Sequence, residues 1–332
     1  MATLYNGIAL SAARPPEGSY EQNGDDPMPV PYLDRPPDLI PIDVGRQLFV
    51  DDFLIAESTL RRSFHRAEKH DGNPVLAPET PLEQGENMPA AVPKSGGVWW
   101  DPADECYRMW YDAGWSHRYA AAASRDGIQW QRQGPLRQEA DGRPLAFVAN
   151  SSAAFLDFDE TDPARRYKLF VRQPDGVERK QGVKPVGGRI PGYMLSSSDG
   201  VYWRAPVRTA PVGDRSTVLY NPFRRKWVFS IRSYAREPFT RTRHYRECDD
   251  PIAQAGWTED EEVFWTRADS LDPPDPAIGQ RPQIYNLDAV GYESLMLGLF
   301  EIHLGPPNDV CARGGFPKTV DIKLGFSRDG FH

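Results

Sequence analysis

The stretch SRDGIQW at residues 124–130 decides the fold, because it returns as SSDGVYW at 197–203 and, without its final Trp, as SRDGFH at 327–332. The first two copies start 73 residues apart, and the last two start 130 residues apart, nearly twice that distance. A degenerate copy therefore belongs between them, and ECDD at 247–250, followed by Trp257, fits that position. An Asp-Gly pair between two apolar runs predicts a tight turn between strands, because glycine tolerates positive φ and aspartate bonds the turn backbone.

Each copy occupies the same place in a longer pattern of apolar runs. A first run ends in an acidic or Pro turn, an aromatic second run and a third run follow, and the Trp of the motif opens a fourth. Four strands per unit, repeated about every 55–75 residues, are typical of β-propeller blades. We predict blades over 87–135, 145–208, 213–262 and 282–332, with Trp130 and Trp203 packed between them. A β-sandwich with chance similarity between the copies is the alternative.

The composition excludes several classes of protein. The chain has 332 residues, with 39 Lys and Arg against 47 Asp and Glu, and no long basic run that would mark a duplex-binding protein. No apolar stretch approaches the roughly 18 residues of a membrane span, and the first thirteen residues hold no Lys or Arg to start a signal peptide. Three cysteines match no zinc or redox spacing. We expect a cytoplasmic protein with no metal, no cofactor, and no nucleic-acid or membrane partner.

Four sequence features resemble a known superfamily: LFVDDFLI at 48–55, GNPVL at 72–76, MWY at 109–111, and the repeated motif. Together they resemble the five-bladed propeller glycoside hydrolases of families 32 and 43, in particular bacterial proteins grouped with family 32. The resemblance covers about residues 44–332, although the Asn-Asp-Pro-Asn motif of invertases is absent from the sequence. It implies hydrolysis of a glycosidic bond in a plant or microbial oligosaccharide or polysaccharide. Some arabinanase-like propellers hold an axial ion such as calcium, which nothing in this sequence requires.

The predicted fold class is therefore all-β, a five-bladed propeller of which four blades can be counted. Residues 1–43, rich in Pro and acidic residues, are expected to form an extended, largely unpacked arm ahead of a propeller domain over 44–332. RQLFVDDFLI at 46–55 predicts a strand. Closing a propeller requires its last blade to pair with its first. We expect the fifth blade to be missing or partial, the fourth to lack its outer strand, and the chain to be a truncated version of a longer protein.

Candidate site residues follow from the strand order of a propeller, whose first strands line the central channel. Glycoside hydrolysis needs one carboxylic acid for the leaving oxygen and one carboxylate as base or nucleophile. Arg215 is expected to keep Asp214 ionised as base or nucleophile, which leaves Glu293 or Glu86 as the acid. Glu83, three residues before Glu86, is another candidate at the entry to the first blade. Further residues are predicted to bind substrate: Arg215, Asp288, Asp52 (or its neighbour Asp51), Asn150, and the aromatic residues Trp110 and Trp115.

Other functions stay open at this point. A propeller can bind a glycan or a protein without turnover, and it differs from an enzyme in lacking two carboxylates about 5–10 Å apart at the channel mouth. Asp-box turns are also similar to those of sialidases, which would need an arginine triad that the sequence does not show. A phosphorylase would need a basic pocket beside the acids, for which Arg215 is the only candidate found.

Overall fold

The structure, a computed structural model, describes residues 2–10, 22–86, 88–146, 151–173, 188–235 and 240–332. The chain divides into two compact units. The terminal unit comprises Met1–Ala56, Lys184–Arg189 and Val212–His332, and the middle unit comprises Glu57–Val183 and Ile190–Pro211. Within the described residues, no helix is long and apolar enough to cross a membrane.

Strands make up most of the regular structure. In chain order they are β1 Ala2–Thr3, β2 Ala9–Leu10, β3 Ala91–Asp101, β4 Cys106–Ala113, β5 Arg118–Ser124, β6 Gln131–Pro135, β7 Arg137–Gln138, β8 Ser151–Leu156, β9 Tyr167–Arg172, β10 Ile190–Ser197, β11 Tyr202–Trp203, β12 Val207–Val212, β13 Thr217–Asn221, β14 Lys226–Ala235, β15 Thr240–Cys248, β16 Val263–Arg267, β17 Gln283–Tyr292, β18 Leu295–Gly305 and β19 Thr319–Ser327. The helices are short: α1 Pro31–Asp34, α2 Pro81–Gln84, α3 Asn308–Gly314, and two 3₁₀ turns at Pro163–Arg165 and Glu259–Glu261.

The middle unit holds two antiparallel groups of strands in which neighbouring strands are consecutive in sequence. Strands β3 to β6 form the first group. Strands β8, β9 and β10 form the second, which β11 and β12 extend by pairing with β10. Parallel pairing of β3 with β8 and of β7 with β11 joins the two groups into one ten-stranded sheet. A core of buried aliphatic and aromatic side chains fills this unit, among them Trp110, Tyr167 and Trp203. Trp203 is 1% exposed in this core, which joins side chains of both strand groups, as predicted. Trp130 is partly buried against a cluster from β4 and β5 of its own strand group, so its packing between blades stays a prediction.

The terminal unit holds a four-stranded sheet, β13 to β16, and a three-stranded sheet, β17 to β19, both antiparallel. The two strand groups of the middle unit and these two sheets of the terminal unit are propeller blades. Four of them occur in the described residues, as the repeats predict, whereas a fifth is absent from those residues. The fourth sheet has three strands, which agrees with the expected lack of an outer strand. The core of this unit includes Leu219, Trp265, Ile284 and Phe331.

The N-terminal segment is not unpacked where the structure describes it. Ile8, Leu10 and Tyr32 are 5–8% exposed and belong to the core of the terminal unit. The Asn6 side-chain amide also donates to the Arg328 carbonyl oxygen at 2.8 Å. The expectation of an unpacked arm is therefore wrong at these positions, because a few large apolar side chains within a Pro-rich segment suffice to anchor it. The boundary at residue 43 stays a prediction.

The segment at 46–55 forms no strand. It is held instead by side chains: Phe53 is 4% exposed in the core, and Asp51 accepts hydrogen bonds from the guanidinium group of buried Arg328 at 2.8–3.1 Å. The apolar residues that predict a strand are thus buried by an irregular segment.

The Asp-Gly turns have the geometry that the sequence predicts. Gly127, Gly200 and Gly330 have φ of +72°, +76° and +84°. In the second copy, Ser197 Oγ accepts from the amide of Gly200 at 2.9 Å, and Asp199 Oδ1 accepts from two following amides at 2.8 Å. The motif therefore satisfies the turn backbone with two side chains.

The degenerate copy reaches the same arrangement with different residues. Asp250 Oδ1 accepts from the amides of Ile252 and Ala253 at 2.8 and 3.0 Å, as the aspartate of the regular motif does. No serine is available, and Gln254 Oε1 accepts from the amides of Asp249 and Asp250 at 2.9 and 3.1 Å. Trp257 is 8% exposed and packs on Phe229. The degenerate copy thus forms its turn with side-chain acceptors, as the regular copies do.

Gly200 provides a test of the turn. Alanine at Gly200 is expected to cost more stability than alanine at Gly127, because its Cβ would lie 2.7 Å from the Trp110 ring, whereas at Gly127 the nearest atom is 3.9 Å away. Both changes pay about 1 kcal/mol for positive φ, and the clash adds about 1–3 kcal/mol at Gly200. Urea unfolding of the two variants measures the difference. Equal losses would contradict it.

Candidate functional site

A β-bulge in strand β17 shapes the candidate site of the terminal unit. Ile284 pairs with Ile302, and Asn286 pairs with Glu301, so Tyr285 is the extra residue. A bulge re-aims the side chains beside it. Ile284 and Leu287 both reach the core, whereas Asn286 and Asp288 share the opposite face with Glu301 across the strand pair. The bulge thus gathers polar side chains beside Tyr285.

Asp214 and Arg215 come directly before β13 and meet Tyr285. The Tyr285 hydroxyl donates to Asp214 Oδ2 at 2.9 Å, and the guanidinium carbon of Arg215 lies 5.8 Å from the centre of the Tyr285 ring. Burial raises the pKa of Tyr285, the Asp214 charge adds to that rise, and Arg215 opposes it. Tyr285 is therefore a protonated donor at neutral pH, and it fixes the Asp214 carboxylate in place.

Arg243, fully buried on β15, joins these residues to the rest of the site. Its Nη2 donates to the carbonyl oxygens of Arg215 and Tyr285 at 2.8 and 2.7 Å, and to Asn286 Oδ1 at 3.1 Å. The Asn286 amide in turn donates to Asp288 Oδ2 at 2.7 Å. Asp214 and Asp288, on separate blades, are thus tied to one arginine by short chains of hydrogen bonds.

The charges around Arg243 show which carboxylates are close. Burial lowers the pKa of Arg243, while Asp288, Asp214 and Glu301 act against that shift. Arg215 responds to the same acids: burial alone would lower its pKa, but Asp214 and Tyr285 outweigh burial and raise it. The charges of Asp214 and Glu301 therefore act on both Arg215 and Arg243, and the charge of Asp288 acts on Arg243.

The predicted acid Glu293 lies elsewhere. It has φ of +53° in the turn between β17 and β18, and its carboxylate accepts from the Arg46 side chain at 2.6 Å and from the Arg46 backbone amide at 2.9 Å. Eight residues of strand separate it from Tyr285, about 26 Å at roughly 3.3 Å per residue. The bonds from Arg46 lower the pKa of Glu293, so this carboxylate is an ionised turn anchor and not an acid of this site.

The other predicted site residues belong to several places in the two units. In the middle unit, Trp110 is 4% exposed, and its indole nitrogen donates to the Gly200 carbonyl oxygen at 2.7 Å, so the prediction that it stacks on substrate is wrong. Glu86 is exposed and Trp115 is 39% exposed, both in the same unit. Asp52 is exposed beside Asp51 in the terminal unit. The prediction for Asn150 falls outside the described residues.

Sequence reasoning missed four members of the cluster: Tyr285, Asn286, Glu301 and Arg243. One signal was present for Glu301, since it is the single charged residue in the apolar run LMLGLFEIH. An ionised side chain in a run that should be buried marks a position with a partner or a function. No sequence signal indicated the bulge at Tyr285.

Two histidines of the terminal unit should make the folded protein less stable at acidic pH. Burial lowers the pKa of His303 to about 4, assisted by Arg241 and Lys318, and burial with Arg189 lowers the pKa of His244 to about 4. Between pH 6.5 and 4 the unfolded chain takes up protons that the folded chain does not, so stability falls as the pH falls. We expect a loss on the order of 2 kcal/mol per histidine by pH 4.

Urea unfolding between pH 7 and pH 4 measures this loss, with His303→Gln as the comparison because glutamine does not titrate. The variant should lose less stability than the wild type over that interval. Parallel pH profiles would contradict the assignment to His303.

Comparisons with known proteins give structural similarity only. No family model and no curated protein matches the sequence. Among solved structures, an α-L-arabinanase from Penicillium chrysogenum with arabinobiose matches with a TM-score of 0.41 and 11% identity, over 72% of this chain and 67% of that one. A fructofuranosidase from Schwanniomyces occidentalis with fructose matches with a TM-score of 0.41 and 10% identity, over 72% of this chain and 45% of that one.

A third solved structure, an N-acetylgalactosamine deacetylase from F. plautii, matches with a TM-score of 0.43 and 14% identity, over 77% of this chain and 75% of that one. The chain thus spans about half the length of the fructofuranosidase that it matches. Identities this low assign no function and no site residue to this chain.

Proposed function

We propose that this chain hydrolyses a glycosidic bond, with Asp214 as the base or nucleophile and Asp288 or Glu301 as the acid. One observation carries the proposal: carboxylates from two blades gather around the buried guanidinium group of Arg243. Two carboxyl groups in different environments are what glycoside hydrolysis requires, since one must be protonated while the other is ionised. The substrate class is an oligosaccharide or polysaccharide.

The surroundings support a division of roles. Asp214 accepts a hydrogen bond from Tyr285 and lies beside Arg215, and both contacts favour its ionised form. Asp288 accepts from the Asn286 amide at 2.7 Å and, like Asp214, its charge acts on Arg243. Neighbouring carboxylates disfavour ionisation of all three acids at once. We therefore assign the acid to Asp288 or to Glu301, which pairs with Asn286 across the strands.

The experiment is a hydrolysis screen with a matched pair of variants. The wild type, Asp214→Asn and Asp321→Asn are incubated with nitrophenyl glycosides and with oligosaccharides, and released sugar is quantified. Asp321 is an exposed carboxylate on β19 of the same unit, so its amide variant controls for loss of one negative charge. Turnover by the wild type and Asp321→Asn, and its loss in Asp214→Asn with unchanged circular dichroism, is the expected result. Binding of a glycan without turnover in any variant would overturn the proposal in favour of a binding protein.

A further inference from the structure

Four arginines of the terminal unit lie on the elements that surround Tyr285. The guanidinium carbons of Arg215 and Arg241 lie 5.8 and 5.1 Å from the centre of its ring. Arg232 and Arg243 face each other across β14 and β15 and are 4% and 0% exposed. Arg241 and Arg243 stand two positions apart on β15, which places them on one face of the strand. The sequence had indicated Arg215 alone.

The hydrogen bonds of Arg241 and Arg243 go to neutral acceptors in the described part of the chain. Arg241 donates to Gln283 Oε1 at 2.9 Å, and Arg243 donates to backbone carbonyl oxygens and to the Asn286 side chain. Buried cations are stable when a negative charge accompanies them. The charges of Asp214, Asp288 and Glu301 act on Arg243, whereas the hydrogen bonds of Arg241 go to an uncharged side chain in the described part of the chain.

His303 also lies beside Tyr285. Its ring lies 5.9 Å from the Tyr285 ring and is 4% exposed, and neither ring nitrogen bonds any other described residue. Besides burial, the cations Arg241 and Lys318 lower its pKa to about 4. The charges of Arg241 and Lys318 beside His303 therefore oppose another positive charge and would favour an anion.

We propose that Arg215 and Arg241 bind an oxyanion, a carboxylate or a phosphate group, beside Tyr285 and Asp214. Guanidinium groups match both oxyanions because their parallel N–H donors form paired hydrogen bonds with two oxygens. The inference rests on the proposed function and narrows it in one of two ways. Either the sugar itself carries a carboxylate, or inorganic phosphate takes the place of water in the reaction.

The second case is a balanced group transfer. A phosphate oxygen forms a bond to the anomeric carbon while the glycosidic carbon–oxygen bond breaks, and the leaving oxygen takes a proton from the acid carboxyl group. The proton lost from phosphate returns to that carboxylate. The products are a sugar phosphate and an alcohol, with inorganic phosphate as the only co-reactant.

Calorimetric titration at constant ionic strength tests the inference without turnover. Inorganic phosphate, glucuronate and neutral glucose are titrated into the wild type, Arg241→Gln and Arg143→Gln. Arg143 is an exposed arginine, with 77% of its side chain accessible, and controls for the loss of one positive charge. We expect phosphate or glucuronate to bind the wild type and Arg143→Gln, and to bind Arg241→Gln at least tenfold more weakly. Binding of glucuronate would indicate a substrate sugar with a carboxylate, and binding of phosphate would indicate phosphate as the co-reactant.

Two results would overturn the inference: neither anion binds the wild type, or Arg241→Gln binds as the wild type does. Should Arg241→Gln unfold, Arg241→Lys keeps the charge and loses the paired donors, so unchanged affinity in that variant also counts against the inference. Hydrolysis of neutral glycosides without anion binding would leave the proposed function standing and this inference overturned. Anion binding without cleavage of any glycoside, in the presence or absence of phosphate, would leave this inference standing and the proposed function overturned.

Discussion

Asp214→Asn is expected to lower kcat/KM for glycoside hydrolysis by about 10²–10⁴, the usual contribution of a positioned acid or base. The amide retains the shape of the carboxylate, and its oxygen can still accept the Tyr285 hydroxyl bond. What it loses is the negative charge that receives a proton or attacks the anomeric carbon. Both kcat and kcat/KM should fall together, since the charge acts mainly in the transition state.

Tyr285→Phe sharpens this expectation. The variant keeps the carboxylate and removes only the hydroxyl that donates to Asp214 Oδ2 at 2.9 Å. A hydrogen bond of this kind contributes about 1 kcal/mol, so the rate should fall roughly fivefold, far less than in Asp214→Asn. Steady-state kinetics on both variants, with thermal unfolding as the check on folding, gives the comparison. An Asp214→Asn enzyme as active as the wild type would remove Asp214 from the mechanism.

Glu83→Ala is expected to reduce the free energy of unfolding by about 3–5 kcal/mol, the usual cost of removing one partner from a buried ion pair. Glu83 is 0% exposed. One carboxylate oxygen accepts from the backbone amides of Glu79 and Thr80, both at 2.9 Å, which caps α2. The other accepts from the Tyr111 hydroxyl and from Arg132 Nε, both at 2.8 Å. The variant leaves these donors buried without their acceptor.

The pKa of Glu83 gives the pH range of this contribution. Burial alone would raise it, but the bonds from Arg132, the two amides and Tyr111 outweigh burial and lower it to about 2. Its stabilisation is therefore complete above about pH 4.5 and is lost as the pH falls through 2. Urea unfolding at pH 7 measures the loss against Glu79→Ala, since the exposed Glu79 carboxylate lies 3.4 Å from the same arginine. Equal effects of the two substitutions would show that burial of Glu83 contributes nothing.

The sheets could be predicted from the sequence because the Ser-x-Asp-Gly copies fix the turns that separate third and fourth strands. Asp214 and Arg215, just before β13, and Asp288, within β17, do lie around the same arginine, and their roles stay predictions. Glu293 was misplaced because strand β17 runs to Tyr292, which carries the glutamate to the turn at its far end.

The cluster around Tyr285 could not be predicted, because one extra residue in a strand reverses which side chains face the core. Trp110 was assigned to substrate for a related reason: an aromatic residue on a second strand fits either face, and only the partner at Gly200 decides that it is buried. A hydrophobic pattern predicts which side chains of a regular strand alternate between its two faces, but it does not predict the position of a β-bulge.

The turn at Gln254 has a consequence for how such proteins are recognised in genomes. In this turn the side-chain amide oxygen of Gln254, four positions after Asp250, takes the place of the serine hydroxyl. It accepts hydrogen bonds from the peptide N–H groups of Asp249 and Asp250. A search that requires serine and glycine letters would count three blades in this chain and discard the third of the four. Profiles that score whether some nearby side chain supplies the acceptor oxygen would recover it, and with it distant relatives that share the architecture while sharing few letters.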